Sequence, residues 1–263
     1  MVKKSKNSLL ALILPWLLPV TLLILWETCS NLEIISSRLF PPPSTIFMTA
    51  VEMVQSGELY YHMGISTYRA VVGLLIGGGI GFILGLINGL FPFAGKFFDS
   101  TIQMIRNIPH LALIPLVIIW FGIGETAKIF LVSVGVLFPI YVNTYHGIRT
   151  VDKGLIEMGK VYGLSTWELF RTIILPGALP AIFVGLRYSL GLMWLTLIVA
   201  ETIATDSGIG YMAMNAREFM KTDVIILSIL IYALFGKLAD ILAKLVEEKT
   251  LKWHPSYAKV KDE

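Results

Sequence analysis

Six apolar stretches constrain this 263-residue chain more than any other feature: residues 9–26, 70–90, 108–121, 126–145, 182–203 and 224–245. A helix needs roughly 20 mostly apolar residues to cross a bilayer. Five of the six come close to that without help. The third is short and broken by prolines, and reaches full length only if the amphipathic lead-in from Phe97 tilts into the membrane. Composition agrees. Hydrophobic residues are 56% and charged residues 15%, against about 45–50% and 25% in soluble proteins, and the mean hydropathy is +0.75. A water-soluble globule cannot hide that much apolar side chain. The expected fold class is all-α, a polytopic membrane protein with six transmembrane helices. A single cysteine, Cys29, excludes an internal disulfide and a multi-cysteine metal site. A scattered net charge of +3 makes no case for nucleic acid.

Lys3, Lys4 and Lys6 precede a first run of about 18 residues, longer than a signal-peptide core of about 7–15, so a retained span is expected. Basic residues near span ends mark the cytoplasmic side. With the N-terminus inside, 14 of the 21 Lys and Arg fall on inner segments, and Arg38, Arg69, Lys128, Arg217 and Lys221 fall outside. The expected layout is a cytoplasmic N-terminus over 1–8, a membrane domain over 9–245 and a cytoplasmic tail over 246–263.

Between the first two spans, Pro41, Pro42 and Pro43 stop any helix. Ser44 is a good N-cap for an interfacial helix over 45–62 on the outer side. The second span carries Gly73, Gly77, Gly81, Gly85 and Gly89. Glycine at every fourth position leaves a bare strip along one helix face, which lets another backbone approach closely. Such a seam packs two helices, or slides during transport.

The longest inner loop covers 146–179. Asp152 can cap a short helix through Val161, Gly163 interrupts it, and Ser165-Thr166-Trp167-Glu168 is a capping-box pattern opening a second. Pro176 and Pro180 are expected to stop that helix. Leu155, Met158, Tyr162, Leu164, Trp167 and Phe170 give the loop an apolar face, which either lies on the membrane or docks into a protein partner.

Catalytic chemistry is hard to find. His62, His110, His146 and His254 show no i,i+4 pair, and no G-x-S-x-G elbow appears. Residues 154–161 fit G-x-x-x-x-G-K, but Val161 stands where Ser or Thr should hold magnesium, and no buried strand precedes. A nucleotide site in this chain is therefore not expected. Charges within spans are costly and usually functional. Arg187 lies about five residues into the fifth span, where it could snorkel to the inner surface. Glu201 and Asp206 are expected at the outer rim. Arg106, Asn107, Pro109 and His110 form a polar, proline-broken elbow beside apolar sequence. Such backbone is tolerated where it lines a cavity or is packed in protein. The elbow is either a substrate path or a cytoplasmic turn.

Glu157-Met158-Gly159, Gly163 and Ile173-Ile174-Leu175-Pro176 resemble the permease loop signature of bacterial ABC importers, usually Glu-Ala-Ala, three residues, Gly, nine residues, Ile-x-Leu-Pro. Both spacings hold, and Met158-Gly159 replaces Ala-Ala. The runs 103–115, 191–202 and 208–219 are similar to the sulfonate, taurine and nitrate/bicarbonate branch of those permeases, most of all to its aliphatic sulfonate members. The resemblance covers nearly the whole chain. It implies a type I importer permease fold with a cytoplasmic coupling helix, in the bacterial inner membrane. It implies a permease homodimer in lipid, two ATP-binding-cassette ATPase subunits that hold ATP and magnesium, and an extracytoplasmic binding protein. This chain would hold no cofactor and no metal, and would catalyse no reaction. Glu157, Tyr162, Gly163, Leu164 and Pro176 would couple to the ATPase. Arg106, Asn107, His110, Arg187 and Glu201 are candidates for the path of an anionic sulfonate. An ion-coupled secondary carrier is the rival from another class; it should show inverted repeats with broken helices, and no convincing pair is present.

Overall fold

The computed structural model describes residues 8–203 and 205–254, with side chains from residue 14 onward. The described residues are helical, with no strand among them. In chain order the helices are α1 (Ser8–Asn31), α2 (Pro43–Gln55), α3 (Glu58–Leu90), α4 (Pro92–Arg106), α5 (Ile114–Phe121), α6 (Glu125–Arg149), α7 (Lys153–Val161), α8 (Thr166–Leu169), α9 (Leu175–Thr202), α10 (Ile209–Glu218) and α11 (Thr222–Thr250). A 3-10 turn, His110–Leu113, leads into α5, and a π turn, Phe170–Ile174, joins α8 to α9. Among the described residues, four helices are long and apolar enough to cross a membrane: α3, α6, the continuous helix Thr166–Thr202, and α11. The pair α4 and His110–Phe121 makes a fifth if taken as one span, bent by 77°. The expected first span, 9–26, falls on α1, whose side chains up to residue 13 lie outside the described set. Of the expected terminal segments, residues 1–7 and 255–263 fall outside it too, while α11 runs past the expected end of the membrane domain at 245 to Thr250.

The chain divides into two units. One comprises the chain up to His62 with Met212–Leu230. Here the expected outer helix over 45–62 is two elements: α2 ends at Gln55, Gly57 turns with φ +80°, and Glu58 opens α3. Ser44 is not the cap. Pro42 holds the cap position and Pro43 the first turn, where a missing N–H costs nothing. The Ser44 N–H and hydroxyl instead reach the Glu27 carboxylate of α1 at 3.1 and 2.7 Å. A carboxylate at a helix N-terminus is favoured by the unpaired amides and dipole there.

The other unit comprises Met63–Tyr211 and the segment from Ile231 onward. Its frame is α3 against α6 and α6 against α9. A Cβ on Gly77 or Gly81 would fall inside the backbone carbonyl of Ser133 or Leu137, and one on Gly85 or Gly89 would lie 2.7 Å from Thr144 or 2.9 Å from Ile148. Gly73 meets Val132 in the same way. The contacts on α6 advance about four residues at each step, so the glycine strip lies along one α6 face. Where lipid offers no hydrophobic drive, close backbone approach of this kind is what holds helices together. Gly147 and Gly185 do the same between α6 and α9, against Ala178 and Asn143.

Two proline expectations are corrected. Pro176 and Pro180 do not stop the helix that Ser165 opens: it runs from Thr166 to Thr202. The π turn widens the backbone ahead of Pro176, which then occupies the first turn of α9, where proline is tolerated. Pro180 lies inside α9, as membrane helices permit when neighbours satisfy the freed carbonyl. The inner loop therefore contracts from 146–179 to 150–165. The lead-in from Phe97 does not extend the third span in line, because the chain turns through 77° at the elbow.

Candidate functional site

The contracted loop is a compact helical hairpin. Asp152 Oδ1 accepts the Gly154 N–H at 2.7 Å and caps α7. At the other end the Gly163 N–H bonds the Lys160 carbonyl and the Leu164 N–H bonds the Gly159 carbonyl, each at 3.0 Å. This is a Schellman ending, which needs a left-handed residue at its turn; Gly163 supplies it with φ +77°. The Ser165 hydroxyl accepts the Glu168 N–H, and Glu168 Oε2 accepts the Ser165 N–H at 2.8 Å, so the capping box is complete. Gly159 is the residue that the signature comparison left as a loose match, and it has a geometric role. A Cβ there would lie 2.7 Å from both Leu169 and Ile173, so its absence lets α7 pack on the helix that follows. Ile156, Ile173 and Ile174 pack against the buried cluster of Ile148, Val151 and Ala178. Glu157, Tyr162 and Gly163 are exposed, Leu164 and Pro176 are half-buried, and Val161 and Trp167 are also exposed. One face is anchored in the bundle and the other presents aromatic and aliphatic side chains. The G-x-x-x-x-G-K stretch is wholly within this hairpin as helix, with no phosphate-cradling loop.

At the elbow, a cavity of about 350 Å³ opens between the end of α4 and the middle of α6 and α9. Arg106, Ile108, His110, Gly135, Phe138, Pro139, Val142, Asn143, Tyr188 and Leu192 line it. His110 Nε2 and Thr196 Oγ1 share a hydrogen bond of 2.9 Å. Gly135 makes room for it, since a Cβ there would lie 2.9 Å from Thr196 Oγ1 and 3.2 Å from His110 Nε2. Asn107 closes α4 at the elbow and is not in the lining.

The other two charged candidates lie elsewhere. Arg187 does not snorkel freely: its Nε donates to Asp240 at 2.9 Å and its Nη1 to Glu247 at 3.4 Å, tying α9 to α11. Glu201 is one residue from the end of α9. It is completely buried and accepts from four donors: Arg69 Nη1 at 2.7 Å, the Ser66 and Tyr232 hydroxyls at 2.8 Å, and the Gly210 N–H at 2.9 Å. Arg69, equally buried, also donates to Glu125 at 2.6 Å, to the Ser207 carbonyl at 2.7 Å and to the Ser207 hydroxyl at 3.0 Å. The Ile209 N–H completes the network on Ser66 at 2.9 Å. Gly208, at φ +107°, lies so close over Glu201 that a Cβ would enter the carboxylate. Arg69 and Lys128, counted from sequence as outer-loop charges, are in helices α3 and α6, and Lys128 is nearly buried. Sequence reasoning missed Arg69, Ser66, Glu125 and Tyr232 as one cluster. Its only signals were two charges flanking apolar runs.

Residues 77–252 match the family described as "Binding-protein-dependent transport system inner membrane component". The chain belongs to that family. The match takes in the hairpin, the elbow cavity and Glu201. An aliphatic sulfonates transport permease protein, SsuC, of Escherichia coli (strain K12) is 56% identical over 243 residues, 92% of each chain. The protein of the same name from Bacillus subtilis (strain 168) is 43% identical over 92% of this chain and 87% of its own length. Among solved structures, a chain of an amino acid ABC transporter crystallised with histidines is 18% identical with a TM-score of 0.62, covering 76% of this inner-membrane component and 97% of that chain. The ABC importer permease fold is thereby shared.

Proposed function

We propose that this inner-membrane component is the permease of an ATP-driven importer for aliphatic sulfonates. The observation that carries the substrate is the pair of relatives named for that transport, at 56% and 43% identity over nine tenths of the chain. Two copies form the path, with both termini cytoplasmic, and an external binding protein delivers the anion. ATP and magnesium belong to two ATPase subunits, and this chain catalyses nothing itself. Each hairpin over 150–165 seats in one ATPase. The exposed Tyr162 and Trp167 supply apolar contact and Glu157 a charge, while the caps at Asp152 and Ser165 keep the knob rigid. A rigid knob transmits displacement; a flexible loop would absorb it. The anion passes Arg106 and His110 at the elbow, where a basic residue borders a cavity between the helices.

The test is reconstitution. Proteoliposomes holding the permease with its ATPase and loaded binding protein should accumulate an alkanesulfonate only when ATP is supplied. Absence of uptake, or uptake by the permease alone, ends the reading. Replacing Gly163 with leucine forces a side chain onto a left-handed position. The expected result is normal membrane insertion with ATP hydrolysis no longer linked to uptake.

A further inference from the structure

We infer that the elbow cavity is a two-part site for an alkyl chain ending in a sulfonate, and that it selects against a sulfonate carrying an amine. This rests on the proposed sulfonate permease and specifies what its path recognises. Among the described residues, no carboxylate lines the cavity and none lies within ion-pair distance of Arg106. That differs from every other basic residue described above within the spans, since Arg69, Lys128 and Arg187 all face acids. An Arg with no protein counter-charge is available to a planar face of acceptor oxygens, which its forked donors match. Asn143 and Tyr188 add polar groups to the lining. His110, already bonded to Thr196, Gly135 and Pro139 complete the lining with the apolar side chains of Ile108, Phe138, Val142 and Leu192, against which a chain of methylenes can lie. At about 350 Å³, the cavity is at the small end of the ~300–1,000 Å³ range of ligand sites.

The exclusion follows from the same lining. An ammonium at the far end of an aminoalkanesulfonate would enter an apolar wall with no acid to meet it, a costly burial of charge. A small inorganic anion would leave that wall empty. An alkanesulfonate satisfies both parts, and each methylene removed from water should tighten binding by about fourfold until the cavity is full.

Equilibrium binding of radiolabelled ethane-, butane- and hexanesulfonate and of taurine to the nucleotide-free permease–ATPase complex, without binding protein, tests this site apart from delivery. Binding should strengthen with chain length, and ethanesulfonate should bind at least about tenfold more tightly than taurine. Arg106→Gln should weaken all the sulfonates by about tenfold, with Arg106→Lys recovering most of the loss. Phe138→Ala should flatten the chain-length dependence, and Leu192→Asp should shift preference toward taurine. If Arg106→Gln does not insert, the Phe138 and Leu192 variants decide. Failure of the wild-type complex to bind any of the four at millimolar concentration, or variants that bind as wild type does, overturns the site. If the reconstituted system still imports sulfonate in that event, the proposed function stands and only this inference falls. If it imports none, the function falls first.

Discussion

Arg69 and Arg106 both bring a guanidinium into the helical membrane unit, and their surroundings are opposite. Arg69 is sealed. It meets two carboxylates, a hydroxyl and a carbonyl, and its fully buried partner Glu201 accepts on both oxygens. Arg106 is exposed, faces no acid, and borders about 350 Å³ of space. A sealed arginine fixes where helices meet, here α3, α6, α9 and α11. An open one leaves its charge for something that arrives. The difference teaches that an intramembrane charge is a functional signal only after its partners have been counted; residue type and depth alone do not separate a bolt from a binding group.

The sealed region should break hardest. Glu201→Ala leaves Arg69 with Glu125 and Ser207 and strips the Ser66 and Tyr232 hydroxyls and the Gly210 N–H of their shared acceptor, and loss of one partner from a buried charged pair costs about 3–5 kcal/mol. A large fall in unfolding temperature in detergent is expected. Replacing both partners sharpens the result. Arg69→Met with Glu201→Leu removes both fully buried charges and leaves the half-exposed Glu125 to Lys128, and the double variant should be more stable than either single one. A double variant no better than Glu201→Leu alone would mean that the two groups do not act as a pair.

A step smaller is Gly208→Ala. The residue would have to hold φ near +107° and its Cβ would displace the Glu201 carboxylate. Strain of this kind costs about 1–3 kcal/mol. The same substitution at Gly79, where nothing lies within 4 Å, should be neutral or slightly stabilising, since alanine favours helix. Thermal unfolding of the two variants side by side separates close approach from general glycine effects.

How much of this was legible before the structure depends on how far apart the partners are. The hairpin was legible nearly residue by residue: the Asp152 cap, the Gly163 turn and the Ser165–Glu168 box are all bonds between neighbours within five residues. The glycine strip was legible as a face, though not as a face on α6. The Arg69 cluster was not, because all its bonds but the one from Gly210 to Glu201 join residues 31 to 143 positions apart, and hydropathy counting places Arg69 outside a helix that begins at Glu58. Pro176 and Pro180 misled for a related reason. Local rules stop a helix at proline, whereas here a π turn and the surrounding bundle carry it through. The elbow was recognised as polar and broken, but Asn107, Arg187 and Glu201 were grouped with Arg106 and His110 on charge or polarity alone, and the fold separates them from the cavity.

On the open side, Gly135→Ala tests how the cavity is kept in shape. An added methyl would press on Thr196 Oγ1 and His110 Nε2, so their shared bond must lengthen or the elbow must move. Overpacking costs about 1–3 kcal/mol, and the lower end is expected because both contacts are side-chain termini at the border of a cavity. The change should appear chiefly in uptake. A variant with unaltered uptake and a large stability loss would place His110 with the sealed network in kind, as a structural bolt.

The smallest effect on folding should come from Arg106 itself. Arg106→Gln removes a charge that no described carboxylate pairs, and an exposed substitution away from such partners is usually worth no more than about 0.5 kcal/mol. Unfolding temperature in detergent should therefore match wild type, in contrast to the collapse expected at Glu201. A loss as large as that of Glu201→Ala would erase the distinction between the two arginines, because it would mean that Arg106 too is held by a partner and is not free to meet an anion.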